Sequence, residues 1–293
     1  MASTTVALKW GSATLADAGV PSPQNDARAL LAFVLNCEPR DFLGHISDRE
    51  VPETSYVEYE SLVARRCQRV PLQHLVGVAY FRNLELQVGP GVFIPRPETE
   101  LLTQAGIDFL NPIHGRRVAV ELCAGSAAVG LSVATEVENV DVYAVELSSD
   151  AHSWLEKNHH KYAQQIAIGN STFTSVNADA THSDLLADLN GTVDVVLCNP
   201  PYIPEGMIPR EPEVREYDPA LALYGGPDGL AIVRELLPVC HRLLRQGGLV
   251  AIEHADVQGE SLPALLSDAK QWTDIADHRD YNQRPRFTVA LKA

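Results

Sequence analysis

With 293 residues, of which 45% are hydrophobic, the chain is long enough for two domains that each have an apolar core. Its net charge of −15 argues against direct DNA binding, because a long contact with phosphates needs clustered Lys and Arg. No apolar run has membrane-spanning length and the start lacks a leader pattern, so we expect a cytoplasmic protein without membrane contact. The five cysteines form no Cys-x-x-Cys pair, so we expect neither a disulfide framework nor a zinc site.

The first eighty or so residues predict a small helical bundle. Ser22-Pro23 is typical of a helix start, and apolar residues at helical spacing extend that helix to about Asn36. A short piece over 40–44 and a longer helix over 53–69 follow, and Val70-Pro71 ends the latter. The bundle carries no catalytic constellation, so partner binding is its natural use. Three arginines of the longer helix are interpreted as a solvated face: Arg65, Arg66 and Arg69.

The pattern becomes β-like after Gly77. Alternation over 81–88, the turn Gly89-Pro90-Gly91 and the run 92–94 predict a hairpin that connects two domains. A helix is then expected to open at Pro97 or Thr99 and to run to about Phe109. Arg96 lies between two prolines and is therefore held rigidly, which is unusual for a merely solvated arginine.

From Arg117 onward, strand and helix patterns alternate, which is the signature of a mainly parallel sheet with helices on both faces. The predicted strands span 118–122, 140–145, 173–177, 193–198 and 249–253, followed by two terminal strands over 272–276 and 286–291. The predicted helices span 126–137, 150–163 and 229–244, the last with a kink at Pro238.

Chemistry-bearing residues follow successive predicted strands. The turn from Cys123 to Ala127 consists of small residues that let the backbone approach a ligand, and Glu146 ends the next strand, where an acidic side chain can bind ribose hydroxyls. Asp179-Ala180 and Asn199 follow the third and fourth strands. Because doubly wound sheets bind ligands at the carboxyl ends of their strands, this order predicts a cofactor that contains a nucleoside.

The stretch Asn199-Pro200-Pro201-Tyr202 predicts a stiff loop, because each proline fixes its own φ and restricts its predecessor. A flat amino group on an sp² carbon carries two N–H donors, and the Asn199 side-chain oxygen and the Pro200 carbonyl are candidate acceptors for them. Tyr202 adds an aromatic face for stacking. The residues alone leave open a carboxamide, an adenine, or a proline-rich turn without a catalytic role.

Several separated motifs extend this pattern: Pro71-Leu72-Gln73-His74-Leu75-Val76-Gly77, Phe93-Ile94-Pro95-Arg96-Pro97-Glu98-Thr99-Glu100, Asn199-Pro200-Pro201-Tyr202, Val214-Arg215-Glu216 with Pro219-Ala220-Leu221, and Glu253-His254. Through them nearly the whole chain resembles the HemK-type (PrmC) release factor glutamine methyltransferases. Asn-Pro-Pro-Tyr is shared with adenine N6-methyltransferases and ribosomal protein glutamine methyltransferases, whereas the run from Phe93 to Glu100 is much more specific.

The resemblance implies an α/β fold with a helical substrate-binding domain over 1–79, a β-hairpin and linker over 80–112, and a seven-stranded class I (Rossmann-like) methyltransferase domain over 113–293. It implies S-adenosylmethionine as the cofactor. The implied substrate is the glutamine of the Gly-Gly-Gln loop of class I peptide chain release factors, methylated at N5. We expect the protein to act as a monomer.

The resemblance also implies roles for single residues. Asn199, Pro200, Pro201 and Tyr202 are expected to be catalytic and, with Arg96, to bind the substrate. Glu146 would hold the ribose, Asp179 and Ala180 would lie beside the adenine, and Asn199 would also approach the cofactor. The methionine part would contact the small-residue turn, which consists of Cys123, Ala124, Gly125, Ser126 and Ala127.

The small-residue turn departs from the family at two positions. The family usually has glycine where this chain has Cys123 and Ala127, and residues with a Cβ resist φ > 0. Loop shape or cofactor affinity is therefore expected to be altered.

Two alternatives to release factor methylation stay open at the level of sequence. The first is methylation of a ribosomal protein glutamine or of adenine N6, although adenine in DNA is disfavoured by the acidic balance. The second is a non-catalytic binding protein, which would be expected to lose Asn199 or Glu146, and both are present.

Overall fold

The computed structural model describes residues 2–42 and 48–293. The chain divides into two compact units, of which the first comprises Met1–Val78 with Pro209–Tyr217 and the second comprises Ala79–Ile208 with Asp218–Ala293. The segment Pro209–Tyr217 therefore belongs to the helical unit although it lies far along the chain, a feature that the sequence pattern did not predict. None of the described helices is long and apolar enough to cross a membrane.

The helices of the described chain are α1 (Thr4–Asp17), α2 (Pro23–Val34), α3 (Glu53–Cys67), α4 (Leu72–Val76), α5 (Thr99–Leu110), α6 (Ala128–Glu136), α7 (Ser149–Ile168), α8 (Pro212–Tyr217), α9 (Ala231–Leu243) and α10 (Ser261–Asp268). The strands are β1 (Val78–Phe81), β2 (Leu84–Gln87), β3 (Arg117–Leu122), β4 (Val140–Glu146), β5 (Thr172–Asn177), β6 (Val193–Cys198), β7 (Leu244–Glu253), β8 (Trp272–Arg279) and β9 (Pro285–Lys292).

The helical unit confirms the two predicted helices α2 and α3. In α2 the buried residues Ala27, Leu30 and Leu31 recur at helical spacing, and they pack in one core with residues of α1 and α3. Helices α1, α4 and α8 were not predicted. The predicted piece over 40–44 is partly a 3-10 turn, Pro39–Phe42, and its last two residues lie outside the described part of the chain.

The interpretation of Arg65, Arg66 and Arg69 as a solvated face is right for Arg65 and wrong for the other two. Arg65 is exposed, whereas Arg66 is buried and donates from Nε to Asp26 Oδ2 at 2.7 Å. Both Arg66 and Arg69 form ion pairs with Glu213 of α8, at 2.8 and 2.6 Å. The buried Arg66 and the half-buried Arg69 thus hold α8 in the helical unit through Glu213.

The hairpin lies earlier than predicted. Strands β1 and β2 pair across a turn at Arg82-Asn83, and residues 92–94 form no strand. Arg82 adopts φ 51°, and its backbone N–H donates to Glu100 Oε1 at 2.9 Å. The alternating pattern of 81–88 was therefore interrupted by a turn that a contact with α5 stabilises, and local sequence does not show that contact.

The predicted mainly parallel sheet is confirmed. Seven strands lie in the order β5-β4-β3-β6-β7-β9-β8, and β9 runs antiparallel to both of its neighbours. The strands β5, β4, β3, β6 and β7 pair in parallel, and two apolar clusters contain the residues that line the sheet. Strand β7 begins at Leu244, five residues before the predicted strand over 249–253, and includes Gly247-Gly248. Helix α10 was not predicted.

Candidate active site

The carboxyl ends of four parallel strands meet at one edge of the sheet. Leu122 at the end of β3 pairs with Val145 of β4 and with Cys198 of β6, and Glu146 pairs with Asn177 of β5. The four predicted groups that follow these strands therefore share one edge, as expected. They are the turn 123–127, Glu146, Asp179-Ala180 and Asn199.

The small-residue turn has three residues in the left-handed region. Cys123, Gly125 and Ala127 have φ values of 59°, 55° and 64°. The two residues with a Cβ thus adopt the conformation that glycine would favour, at a cost of roughly 1–2 kcal/mol each. A Cβ built on Gly125 meets no atom within 4 Å, so the backbone faces open space at that point.

Glu146 ends β4 and fixes the small-residue turn. Its Oε2 accepts from the Gly125 N–H and its Oε1 accepts from the Ser148 N–H, both at 2.7 Å. Each carboxylate oxygen has a second lone pair, so both can accept a further hydrogen bond. Glu146 therefore presents a carboxylate of fixed orientation beside the open backbone at Gly125.

Glu121 is a buried carboxylate of the site that sequence reasoning did not assign. It lies within β3, and burial raises its pKa to about 8, although the Gly130 N–H donates to Oε2 at 2.8 Å. A Cβ on Gly130 would lie 2.5 Å from that oxygen, so only glycine allows α6 to approach so closely. An acidic residue in an otherwise apolar strand was the available signal.

Asp179 and Ala180 follow β5. Asp179 is exposed and accepts from the Thr181 hydroxyl at 2.7 Å and from the Thr181 N–H at 2.9 Å, and these bonds lower its pKa. Ala180 is buried. The pair thus combines an exposed carboxylate with an apolar neighbour at the edge of the sheet.

The Asn199 side chain has a defined hydrogen bond. Its Nδ2 donates to Thr99 Oγ1 at 3.2 Å. Among residues 2–42 and 48–293, no donor is hydrogen-bonded to Asn199 Oδ1 or to the Pro200 carbonyl oxygen. Two acceptors on consecutive residues, the half-buried Asn199 and the buried Pro200, therefore have no donor in the described part of the chain.

The rest of the loop is held by the chain behind it. Gln258 Nε2 donates to the Tyr202 carbonyl at 3.1 Å, and the Tyr202 hydroxyl donates to Glu253 Oε1 at 3.3 Å. A Cβ on Gly229 would lie 2.1 Å from the Tyr202 carbonyl, so the backbones touch there. Pro201 and Tyr202 remain partly exposed. The loop is thus rigid on its inner side and accessible on its outer side.

Arg96 is committed to a neighbour. Its guanidinium donates to Asp218 Oδ2 at 2.8 Å and lies 4.9 Å from the centroid of the Phe93 ring. Asp218 is buried, and burial raises its pKa to about 6 in spite of Arg96. Asp218 was not singled out from the sequence. The contacts explain why Arg96 is held rigidly, and its role in substrate binding stays a prediction.

Two family models match the chain. Residues 6–77 match the PrmC N-terminal domain, and residues 76–220 match the model described as conserved hypothetical protein 95. The first match covers most of the helical unit.

Full-length relatives match nearly the whole chain. The release factor glutamine methyltransferase of Streptomyces coelicolor is 44% identical, with 95% of this chain and 94% of the relative aligned. That of Bifidobacterium longum is 41% identical, with 97% and 98% aligned. A 4-amino-L-phenylalanine/4-methylamino-L-phenylalanine methyltransferase of Streptomyces pristinaespiralis is 33% identical, with 94% and 91% aligned.

One solved structure has a similar fold. It is the 16S rRNA N2 G1207 methyltransferase of T. thermophilus in complex with AdoMet and guanosine, with a TM-score of 0.50 and 19% identity. The alignment covers 74% of this chain and 50% of that chain.

Proposed function

The chain belongs to the release factor glutamine methyltransferase family, and we propose that it methylates the N5 amide nitrogen of the glutamine in the Gly-Gly-Gln motif of class I peptide chain release factors. The observation that carries this proposal is the arrangement at the end of β6. Asn199 Nδ2 is bonded to Thr99, so Oδ1 and the Pro200 carbonyl are the free acceptors. A primary carboxamide supplies the two N–H donors that such a pair needs.

The residues at the edge of the sheet fit S-adenosylmethionine. Glu146 would accept from the ribose hydroxyls, Asp179 and Ala180 would lie beside the adenine, and the turn from Cys123 to Ala127 would contact the methionine part. The open space at Gly125 supports this assignment, because a ligand can approach the backbone there. When bound, the cofactor supplies a methyl group that its sulfonium charge has already activated.

The loop from Asn199 to Tyr202 positions the amide. A carboxamide nitrogen is a poor nucleophile, because its lone pair is delocalised into the carbonyl. Two acceptors in the plane of the NH₂ group would orient that lone pair out of the plane and favour the positive charge that develops on the nitrogen. No strong general base is required, because the nitrogen becomes acidic on methylation and its proton can pass to water.

Tyr202 and Pro201 support this positioning. The Tyr202 hydroxyl is fixed to Glu253, so its ring has one orientation and offers a face to the glutamine side chain. Pro201 keeps the loop stiff. We further propose that the helical domain, residues 1–79, binds the release factor, that Arg96 contacts the substrate through its exposed part, and that the enzyme acts as a monomer.

The test is labelled methyl transfer from S-adenosylmethionine to a purified class I release factor. We expect label in the release factor, and none in its Gly-Gly-Ala variant or in adenine-containing DNA. Equal labelling of the Gly-Gly-Ala protein, or label in DNA alone, would contradict the proposal.

A second substrate class belongs in the same assay. One relative is named for 4-amino-L-phenylalanine, whose aromatic amine is also a flat group with two N–H donors. The higher identity of the release factor enzymes, 44% against 33%, favours the protein substrate. Transfer to 4-amino-L-phenylalanine but not to the release factor would reverse that preference.

A further inference from the structure

We propose that Glu253 and Thr99 act as positioning residues that fix which end of the Asn199 amide faces the substrate, an inference that rests on the proposed function of the Asn199 loop. An asparagine amide can face a ligand with its oxygen or with its NH₂ group, and only the oxygen accepts the N–H bonds of a glutamine amide. The neighbours of Asn199 must therefore select one of two orientations.

Two buried residues support the loop that contains Asn199. Thr99, the first residue of α5, is 3% exposed, and its Oγ1 accepts from Asn199 Nδ2 at 3.2 Å. Glu253, the last residue of β7, is 1% exposed and accepts from the Tyr202 hydroxyl at Oε1. A carboxylate is rarely so deeply buried unless it is paired or has a functional use.

The Glu253 carboxylate sets the direction of the hydrogen bonds. The second oxygen of this carboxylate, Oε2, is buried and has no hydrogen-bond partner among the described residues. The Thr99 hydroxyl lies near enough to the carboxylate to lower its pKa, against the effect of burial. An ionised carboxylate only accepts, so the single proton of the Thr99 hydroxyl points to Glu253. The lone pairs of Oγ1 then face Asn199 and select its Nδ2, which turns Oδ1 towards the ligand.

Three titratable groups, Arg286, Tyr202 and Glu98, act on Glu253 in addition to Thr99. Burial raises its pKa to about 7, whereas Thr99 of α5, Arg286 of β9 and the Tyr202 hydroxyl lower it and Glu98 raises it. A protonated Glu253 can donate to Thr99 Oγ1, which frees the threonine proton for Asn199 Oδ1 and removes the selection. The competent orientation therefore requires the ionised form, which is present above the pKa.

Substitutions at Thr99 separate this role from simple packing. Thr99→Val keeps the shape and removes the hydroxyl, so kcat for methyl transfer to the release factor should fall by about tenfold or more, while the Kd for S-adenosylmethionine stays unchanged. Thr99→Ser keeps the hydroxyl and should retain kcat within about threefold. Equal losses in both variants, or full activity of Thr99→Val, would overturn the proposal.

Glu253→Gln provides a second readout. The wild-type kcat should fall as the pH drops through about 7. The kcat of the variant should not change with pH in this range. It should also be lower than that of the wild type, because the Gln side chain can donate to Thr99. An unchanged pH profile in a folded variant would contradict the proposed positioning role of Glu253. Thermal unfolding of each variant shows whether it is folded.

A measurement without substrate distinguishes failure of this inference from failure of the proposed function. The Asn199 side-chain NH₂ resonance, assigned with Asn199→Asp in ¹⁵N NMR spectra, should show a hydrogen-bonded proton in the wild type and in Thr99→Ser. It should lose that signature in Thr99→Val. No difference between the three proteins would refute the proposed positioning role of Thr99, whatever the methylated substrate proves to be.

Discussion

At the scale of single residues, we expect Asn199 to matter most for methyl transfer, because its side chain supplies one of the two free acceptors. Asn199→Ala should reduce methyl transfer by roughly a hundredfold or more, as expected when one preorganised polar contact at the reacting group is removed. Calorimetry should show cofactor binding largely intact, because Glu146 and the turn 123–127 are unchanged. Asn282→Ala, in an exposed turn, is the control and should have no effect. Loss of cofactor binding in Asn199→Ala would count against its assigned role.

Gly125 tests where the cofactor lies. Gly125→Ala places a Cβ at φ 55° in a space that is empty of protein atoms, so stability should fall by about 1 kcal/mol from the backbone alone. If the cofactor approaches this backbone, its Kd should rise by more than tenfold. Gly191→Ala has the matched geometry, with φ 71° and no atom within 4 Å, and lies before β6, away from the carboxyl edge. It should lose the same stability and no affinity. Equal affinities in both variants would contradict the placement.

The residues that follow the strands could be predicted, whereas their supports could not. The positions of Glu146, Asp179 and Asn199 at the ends of successive strands were predicted correctly, and their roles stay predictions. Glu253 and Thr99 each occur in a motif of the sequence, but 154 positions separate them. Nothing local shows that Thr99 binds Asn199 or that Glu253 binds Tyr202. Asp218 is another example, because only the folded chain brings it to Arg96.

At the scale of elements, long-range contacts explain the errors. The β1–β2 turn at Arg82 is stabilised by bidentate bonds from its guanidinium to Glu136 of α6 at 2.7 and 2.8 Å, and by Glu100 of α5. A sequence pattern evaluates only neighbours along the chain, and it therefore placed the turn at the Gly89-Pro90-Gly91 signal. Elements with their own periodicity, such as α2 and β6, were predicted correctly.

Helix α8 is the element whose attachment depends most on charge. Burial opposes ionisation of Glu213, but hydrogen bonds from Arg69 and Arg66 lower its pKa to about 2. A carboxyl with a depressed folded pKa contributes stability above its unfolded value near 4.5, and this contribution disappears as the pH falls towards 2. Glu213→Gln should therefore cost roughly 2–3 kcal/mol at pH 7 and clearly less at pH 3.

Urea unfolding at the two pH values measures this difference. Glu216→Gln is the matched control, because Glu216 is half-exposed and forms a surface ion pair with Arg215. Its loss should cost below about 1 kcal/mol at either pH. A Glu213→Gln penalty that does not depend on pH would show that the ion pairs contribute little.

At the scale of the whole molecule, the alternation of strands and helices predicted the mainly parallel sheet. It did not predict which segments of the chain belong to each of the two units. Alternation limits the topology to a few arrangements. The assignment of Pro209–Tyr217 to the helical unit depends on pairs such as Arg69 and Glu213, which are 144 residues apart. Such pairing leaves no periodic trace in the sequence.

The division into two units leads to a prediction for a shortened chain that lacks residues 1–78. The seven-stranded sheet belongs entirely to the second unit, so the remainder should fold and bind S-adenosylmethionine. The segment Pro209–Tyr217, however, would lose the partners that it has in the helical unit, including the arginines that bind Glu213 and the Gln68 carbonyl that accepts from the Tyr217 hydroxyl.

A Glu-specific protease should therefore cut after Glu211, Glu213 or Glu216 much faster in the shortened chain than in the full chain, as mass spectrometry of the fragments would show. Full-length Glu213→Gln should be cut at an intermediate rate after Glu211 and Glu216, the two sites that it retains. Equal rates in the three proteins would mean that this segment is ordered by the sheet unit and that the helical unit does not need it.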